Sequence, residues 1–131
     1  MDVLLDLFSF QGRVNRQRYI WHIILDDLFI FSVFIALVMI GGVVGPGWIV
    51  MPLIGVLAGA LIAAMAVTVK RLHDLGRSGW HWLGFMVPIY NLYLTFVLLF
   101  KEGTRGPNQF GPDPLRPYDQ LEYAEDVRYL D

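Results

Sequence analysis

The stretch RLHDLGRSGW, residues 71–80, sets Arg71, His73, Asp74 and Arg77 between two apolar runs and closes on Ser78, Gly79 and Trp80. These residue types admit three kinds of chemistry. An imidazole beside a carboxylate invites comparison with an acid–base pair. However, neighbours on a helix project in different directions, and no serine or cysteine nucleophile motif accompanies His73 and Asp74. No catalytic residue is assigned, and the chain is read as a non-enzyme. His22, Asp26, His73 and His81 offer imidazole and carboxylate groups to zinc or another divalent metal. Their spacing follows no ligand motif, so neither a metal nor a cofactor is expected. The third chemistry is anion binding, because guanidinium forks fit phosphate oxygens. Docking of anionic lipid headgroups or of a partner would fall to Arg13, Arg16, Arg18, Arg71 and Arg77, with His73 and Asp74 beside them. Ordinary anchoring at a membrane interface needs the same arginines and no ligand.

A second polar group lies inside apolar sequence. Asp26 and Asp27 precede the first long apolar run, and Asn91 interrupts the last. Ionisable groups at membrane depth mark ion paths or buried pairs. One reading makes Asp26, Asp27 and Asn91 part of an ion or proton path in a small oligomeric transporter. The other has arginines of the 70–79 loop neutralise the two carboxylates.

The elements that must position these groups are helical and membrane-bound. The chain has 131 residues, 56% of them apolar and 17% charged, with a mean hydropathy of +0.51. A small soluble domain buries too little of its surface to hide that much apolar area. Three runs are nearly free of charge: 28–44, 48–69 and 80–100. The first covers about 25 Å and the other two about 30 Å at 1.5 Å per residue, the thickness of a hydrocarbon core. The expected fold is therefore all-α: a polytopic membrane protein with three transmembrane helices, forming a single membrane domain over residues 1–117. Asn15 is a candidate N-cap for a helix starting near Arg16. Carrying Asp26 and Asp27 to mid-membrane would cost about 2.5–3.5 kcal/mol each. The first helix is therefore expected to run through the headgroups from about residue 16 and to enter hydrocarbon near Asp27.

Between the spans, GPGW at 45–48 reads as a tight turn with Trp48 as an interfacial anchor. Gly55, Gly59 and Ala63 form a small-residue face suited to close helix packing, expected inside the same protein more than between copies. Pro88 is expected to kink the third span, with Asn91 bonding a neighbouring helix. Residues 2–10 place Val3, Leu4, Leu7 and Phe8 opposite Asp2 and Asp6, as an interfacial segment or a frayed terminus would. With acidic groups at this end, no cleaved signal peptide is expected. Residues 101–117 hold three glycines and four prolines and read as an irregular tail. Residues 118–131 form an acidic extension, weakly helical or disordered.

There is no cysteine, hence no disulfide framework or thiolate site. No dense basic patch exists, which excludes a nucleic-acid partner. Arginines and lysine cluster before the first span and in the 70–79 loop, so both are expected on the cytoplasmic side. Three crossings then put the C-terminal tail on the other side. Membrane lipids are the expected partners, with a membrane-protein partner or a homo-oligomer beside them.

Three motifs coincide in this chain: FQGRVNRQRYIW at 10–21, RLHDLGRSGWHWL at 71–83 and GPNQFGPDP at 106–114. Together they resemble the domain of unknown function 805 family of small bacterial inner-membrane proteins, over roughly residues 8–114. Lys70 stands where the family pattern usually has arginine, the Tyr-Trp pair is split into Tyr19-Ile20-Trp21, and the acidic tail is extra. The resemblance implies a multi-pass protein of the bacterial inner membrane with residues 71–80 as a signature loop. It brings no activity, substrate or cofactor. The leading expectation is a non-enzymatic membrane module, a subunit or regulator of an envelope complex, with the transporter as its rival and a lipid-modifying enzyme further behind.

Overall fold

The computed structural model describes residues 8–116, so the expectations for the first seven residues and for the acidic extension lie outside the described residues. Within them the chain is all-helical, apart from an isolated bridge between Asn108 and Gly111. Helix α1 runs Arg16–Val44. It starts as the sequence suggests, with the Asn15 carboxamide oxygen accepting the Arg18 N–H at 2.8 Å. It ends at Gly45, whose φ of 103° lets its N–H return to the Gly41 carbonyl at 2.9 Å.

A one-turn 3₁₀ segment, Pro46–Trp48, reverses the chain into α2, Val50–Asp74. The two helices form a hairpin. Gly41 meets the Ile49 side chain at its closed end, and the Val14 N–H bonds the Lys70 carbonyl at its open end, 3.2 Å away. Helix α2 stops through the chemistry of its own motif. Gly76 takes φ 71°, the Arg77 N–H reaches the Leu72 carbonyl at 2.9 Å and the Gly76 N–H reaches His73 at 3.0 Å. That pair of bonds is a Schellman closure, which favours glycine at this position.

The third apolar run differs from expectation. Residues 80–100 do not form one kinked crossing helix. Ser78 caps a 3₁₀ segment over Gly79–Met86, the chain extends at Val87, and α3 occupies only Pro88–Phe100. Thirteen residues of helix reach about 20 Å, short of a 30 Å core. Proline supplies the reason. It lacks an N–H, and it biases the residue before it towards extended backbone, here φ −100° and ψ 112° at Val87. Helix α3 then folds back on the 3₁₀ segment: the Tyr90 ring lies so close to Gly84 that a Cβ there would fall 2.3 Å from it. Asn91 does not bond a neighbouring helix but closes this break, donating to the Phe85 carbonyl at 3.2 Å. Its own carboxamide oxygen accepts from Thr95 at 3.3 Å.

The run therefore leaves the open end of the hairpin at Ser78 and returns to it at Phe100, where Arg16 donates to the Phe100 carbonyl at 3.2 Å. Among the described residues two helices, α1 and α2, have the length and composition of a membrane span. The expectation that three crossings carry the tail to the opposite end does not hold for the described chain, because residues 101–116 pack at the same end as the N-terminal arm.

The core sits at this open end. Tyr19, Val67, Leu72, Leu75, Leu94 and Leu98 are buried together, with Trp82, Phe85 and Tyr90 packed against them. Further along the hairpin the apolar side chains face outward: Phe31, Phe34, Val38, Met39, Met51, Ile54 and Leu57 are all exposed. No residue in the most apolar stretch of α1 is buried within the protein. A helix surface of that kind needs hydrocarbon around it. The expected packing of the small-residue face is not seen at its two glycines: among the described residues nothing lies within 4 Å of where a Cβ on Gly55 or Gly59 would stand.

Candidate functional site

Both α2 and α3 end at the open end of the hairpin, and a helix leaves its last four carbonyls without intrahelical partners. Arg71, from the last turn of α2, answers those of α3. It is fully buried, and its Nε donates to the Leu98 carbonyl at 3.0 Å while one terminal nitrogen donates to Lys101. Its other terminal nitrogen meets Asp74 three residues on, one helical turn away. Asp74 then shares its second oxygen with Arg13 of the N-terminal arm, 3.2 Å from Nε and 3.0 Å from Nη2. The three side chains are 1%, 0% and 3% exposed for Arg13, Arg71 and Asp74.

Arg13 carries the network into the third motif, donating to the carbonyls of Thr104, Gly106 at 2.7 Å and Gly111 at 3.4 Å. Thr104 returns two bonds to the last carbonyl of α2, from its N–H at 2.8 Å and its hydroxyl at 2.9 Å, both to Asp74. Asn108 takes the His73 carbonyl at 2.9 Å. The helix-end carbonyls thus find donors in the arm and the tail, as buried backbone groups must.

The electrostatics follow. Two guanidinium groups and one carboxylate leave one positive charge, and each helix C-terminus contributes roughly half a negative charge. The sum is close to zero, which lets the cluster sit away from water. His73 serves the same closure. Its Nδ1 lies 3.2 Å from the Gly12 carbonyl, and its ring stacks on Phe110 with centroids 3.9 Å apart. Asp113 anchors the tail loop by accepting the Gly106 N–H at 3.0 Å and the Leu115 N–H at 2.9 Å. Burial pushes its pKa up, but these N–H bonds with Arg13 and Arg116 nearby more than offset that and hold it below the ordinary carboxylate range.

The residues singled out in the sequence therefore divide. Arg13, Arg71, His73 and Asp74 come together in a buried cap with their polar groups turned to protein partners. Arg16 and Arg18 are exposed at the start of α1. Arg77 packs on Tyr93, donating to its hydroxyl at 3.1 Å. The expectation that arginines of the 70–79 loop neutralise Asp26 and Asp27 fails. Arg71 turns to Asp74, Leu98 and Lys101, and Asp26 stands ten residues beyond Arg16, about 15 Å further along the helix. Asn91 is engaged at the break before α3, apart from that acidic pair. No group of three or more His, Asp and Glu gathers as a metal site among the described residues. Thr104, Asn108, Phe110 and Asp113 were not singled out as site residues, although the last three stand in the GPNQFGPDP motif. Thr104 and Gly103 carry no sequence signal. Gly103 matters because a Cβ there would stand 2.1 Å from Asp74 Oδ2.

The segments that close this cap fall almost wholly within the stretch that matches a known family. The sequence model of a protein family of unknown function, DUF805, matches residues 7–112. The chain belongs to this family. It is 33% identical over 115 residues to the inner membrane protein YhaH of Escherichia coli K12, covering 87% of this chain and 93% of that one. It is 30% identical over 114 residues to the inner membrane protein YhaI of the same strain, covering 87% and 92%. No solved structure matches the chain. Membership and two long apolar helices agree in making this an all-helical membrane protein.

Proposed function

We propose that the chain is a non-enzymatic module of the bacterial inner membrane, crossing it twice, whose polar cap lies on the cytoplasmic side and docks on anionic phospholipid headgroups. The carrying observation is the cap itself. The groups that could do chemistry, His73 and Asp74, are engaged in holding three segments together, and exposed arginines ring the result. Every lysine and arginine among the described residues falls in 13–18, 70–77 or 101–116, all at the cap end, while the turn at 45–49 has none. That asymmetry supports a cytoplasmic cap more strongly than a three-crossing arrangement would, because Lys101, Arg105 and Arg116 join the same side. The E. coli relatives named as inner membrane proteins support the location.

The absence of cysteine gives a direct test. Single cysteines at Ser9, Ser78 and Gln109 are exposed to an impermeant thiol reagent in intact spheroplasts and again after lysis. All three react only after lysis if the cap is cytoplasmic. Labelling of Gln109 alone in intact cells refutes the two-crossing arrangement. A second reading, an oligomeric transporter, draws on Asp27, which is exposed beside Asp26 where the apolar run of α1 begins. It requires Asp26→Asn or Asp27→Asn to assemble normally while abolishing an ion flux in reconstituted vesicles.

A further inference from the structure

Beside the cap, where α1 begins and the tail loop passes, an open cleft of about 540 Å³ is walled by Asn15, Arg16, Thr104, Arg105, Leu115 and Arg116. Its volume lies in the range of sites for small organic molecules, and a bare inorganic anion would leave most of it empty. The charged groups decide what kind of molecule fits. The carboxylates in the wall are already engaged: Asp74 accepts from Arg13 and Arg71, and Asp113 accepts from the Gly106 and Leu115 N–H groups. Glu102 meets Arg105 at 3.5 Å in a solvent-exposed pair, a kind of contact that contributes little and yields easily.

Arg16 is held against the wall by its bond to the Phe100 carbonyl, and one such bond leaves most of its N–H groups for another acceptor. Arg105 is 92% exposed and can swing over the opening. The first turn of α1 adds the positive end of a helix dipole to the same wall. Leu115 and Pro107 supply apolar surface beside these donors. A fixed guanidinium, a mobile one and a small apolar wall suit the phosphate of an organic ester.

We infer that this cleft binds a phosphate ester, with Arg16 and Arg105 gripping its phosphate and the wall at Leu115 receiving the organic part. The inference rests on the headgroup-docking reading and sharpens it. The ester is supplied either by a phospholipid headgroup or by a soluble organophosphate.

The test uses the full chain in nanodiscs, reading the thermal unfolding midpoint. Wild type is compared in phosphatidylcholine discs, in discs with added phosphatidylglycerol, and in phosphatidylcholine discs titrated with glycerol 3-phosphate. The cleft variant is Arg16→Gln with Arg105→Gln. A control of equal charge change outside the cleft wall is Lys101→Glu, at an exposed side chain. Wild type and control are expected to be stabilised by phosphatidylglycerol, and the cleft variant to need at least tenfold more for the same rise. A rise with phosphatidylglycerol alone identifies a lipid source. An equal rise with glycerol 3-phosphate identifies a soluble one. If Arg16→Gln disturbs folding in phosphatidylcholine, Arg105→Gln alone gives the same comparison with a solvent-exposed side chain. Equal losses in cleft variant and control, or no loss in the cleft variant, overturn the inference and leave headgroup docking standing. No response of wild type to any anionic ester overturns both.

Discussion

Replacing Asp74 with Asn keeps the shape of the cap and removes the carboxylate that bridges Arg13 and Arg71. Two guanidinium groups, 1% and 0% exposed, then face each other across a neutral amide. The local sum rises by one unit of charge, with only the two helix ends left to offset it. Removing one partner of a buried ion pair costs about 3–5 kcal/mol. Against a total stability of about 5–15 kcal/mol that is a large share. At about 4 °C per kcal/mol for a chain of this size, the unfolding midpoint should fall by about 12–20 °C. Fluorescence of the four tryptophans in purified protein reads the transition. Combining Asp74→Asn with Arg13→Met should cost less than the two single losses added together, because the pair removes a charge along with its counter-charge. A midpoint for Asp74→Asn within about 1 kcal/mol of wild type would refute the claim that this cluster holds the cap closed.

Three other outcomes follow from the same geometry. Gly103→Ala puts a methyl 2.1 Å from Asp74 Oδ2, so it should destabilise by about 1–3 kcal/mol; a neutral effect in thermal unfolding would show that the loop can step aside. His73→Ala loses the stacked Phe110 ring and the bond to Gly12, a loss of about 1–2 kcal/mol, and should make the chain near Gly12 cleavable by protease while the hairpin survives. Asp113 has a lowered folded pKa, so its contribution is present above the unfolded carboxylate pKa and disappears as pH falls through the folded value. Acidification should raise hydrogen exchange at Gly106 and Leu115 in wild type, and Asp113→Asn should show that faster exchange already at neutral pH.

The sequence reveals some of these elements more clearly than others. Asn15 as a cap and the turn after Val44 are local events, decided by residues within one turn of each other, and both are as read. The long apolar runs identify α1 and α2 for the same reason, since each helix is contiguous in sequence. The run at 80–100 defeats that logic. Its residues are apolar enough for a crossing or for a fold-back, and the choice lies in Val87–Pro88 and in Tyr90 meeting Gly84. The cap is harder still. Composition sees Arg13 and Arg71 as cations at an interface, but apart from Asp74 their partners are carbonyls, which every residue owns and no residue type announces. Only the third motif, GPNQFGPDP, carried a signal for the tail's part in the cap, and nothing in it says that Asn108 reaches the His73 carbonyl. The small-residue spacing at Gly55 and Gly59 suggests close packing within the protein, but among the described residues nothing lies within 4 Å of where a Cβ would stand at either position.

The span in sequence of the Arg13 bonds has a consequence for how the molecule is made. Its acceptors at Gly106 and Gly111 lie 93 and 98 positions downstream. A ribosome adding about 5–20 residues each second needs roughly 5–20 s to deliver them. In the last third or so of that interval, once Asp74 has been added 61 positions after Arg13, the hairpin can enter the bilayer and Arg13 can find Asp74, while Arg71 waits for the carbonyls of Leu98 and Lys101. A nascent chain therefore sits in the membrane with an unfinished polar seam, open to whatever surveys incomplete proteins. Emergence of the tail loop closes it, so the seal at the first motif reports that the last has been synthesised.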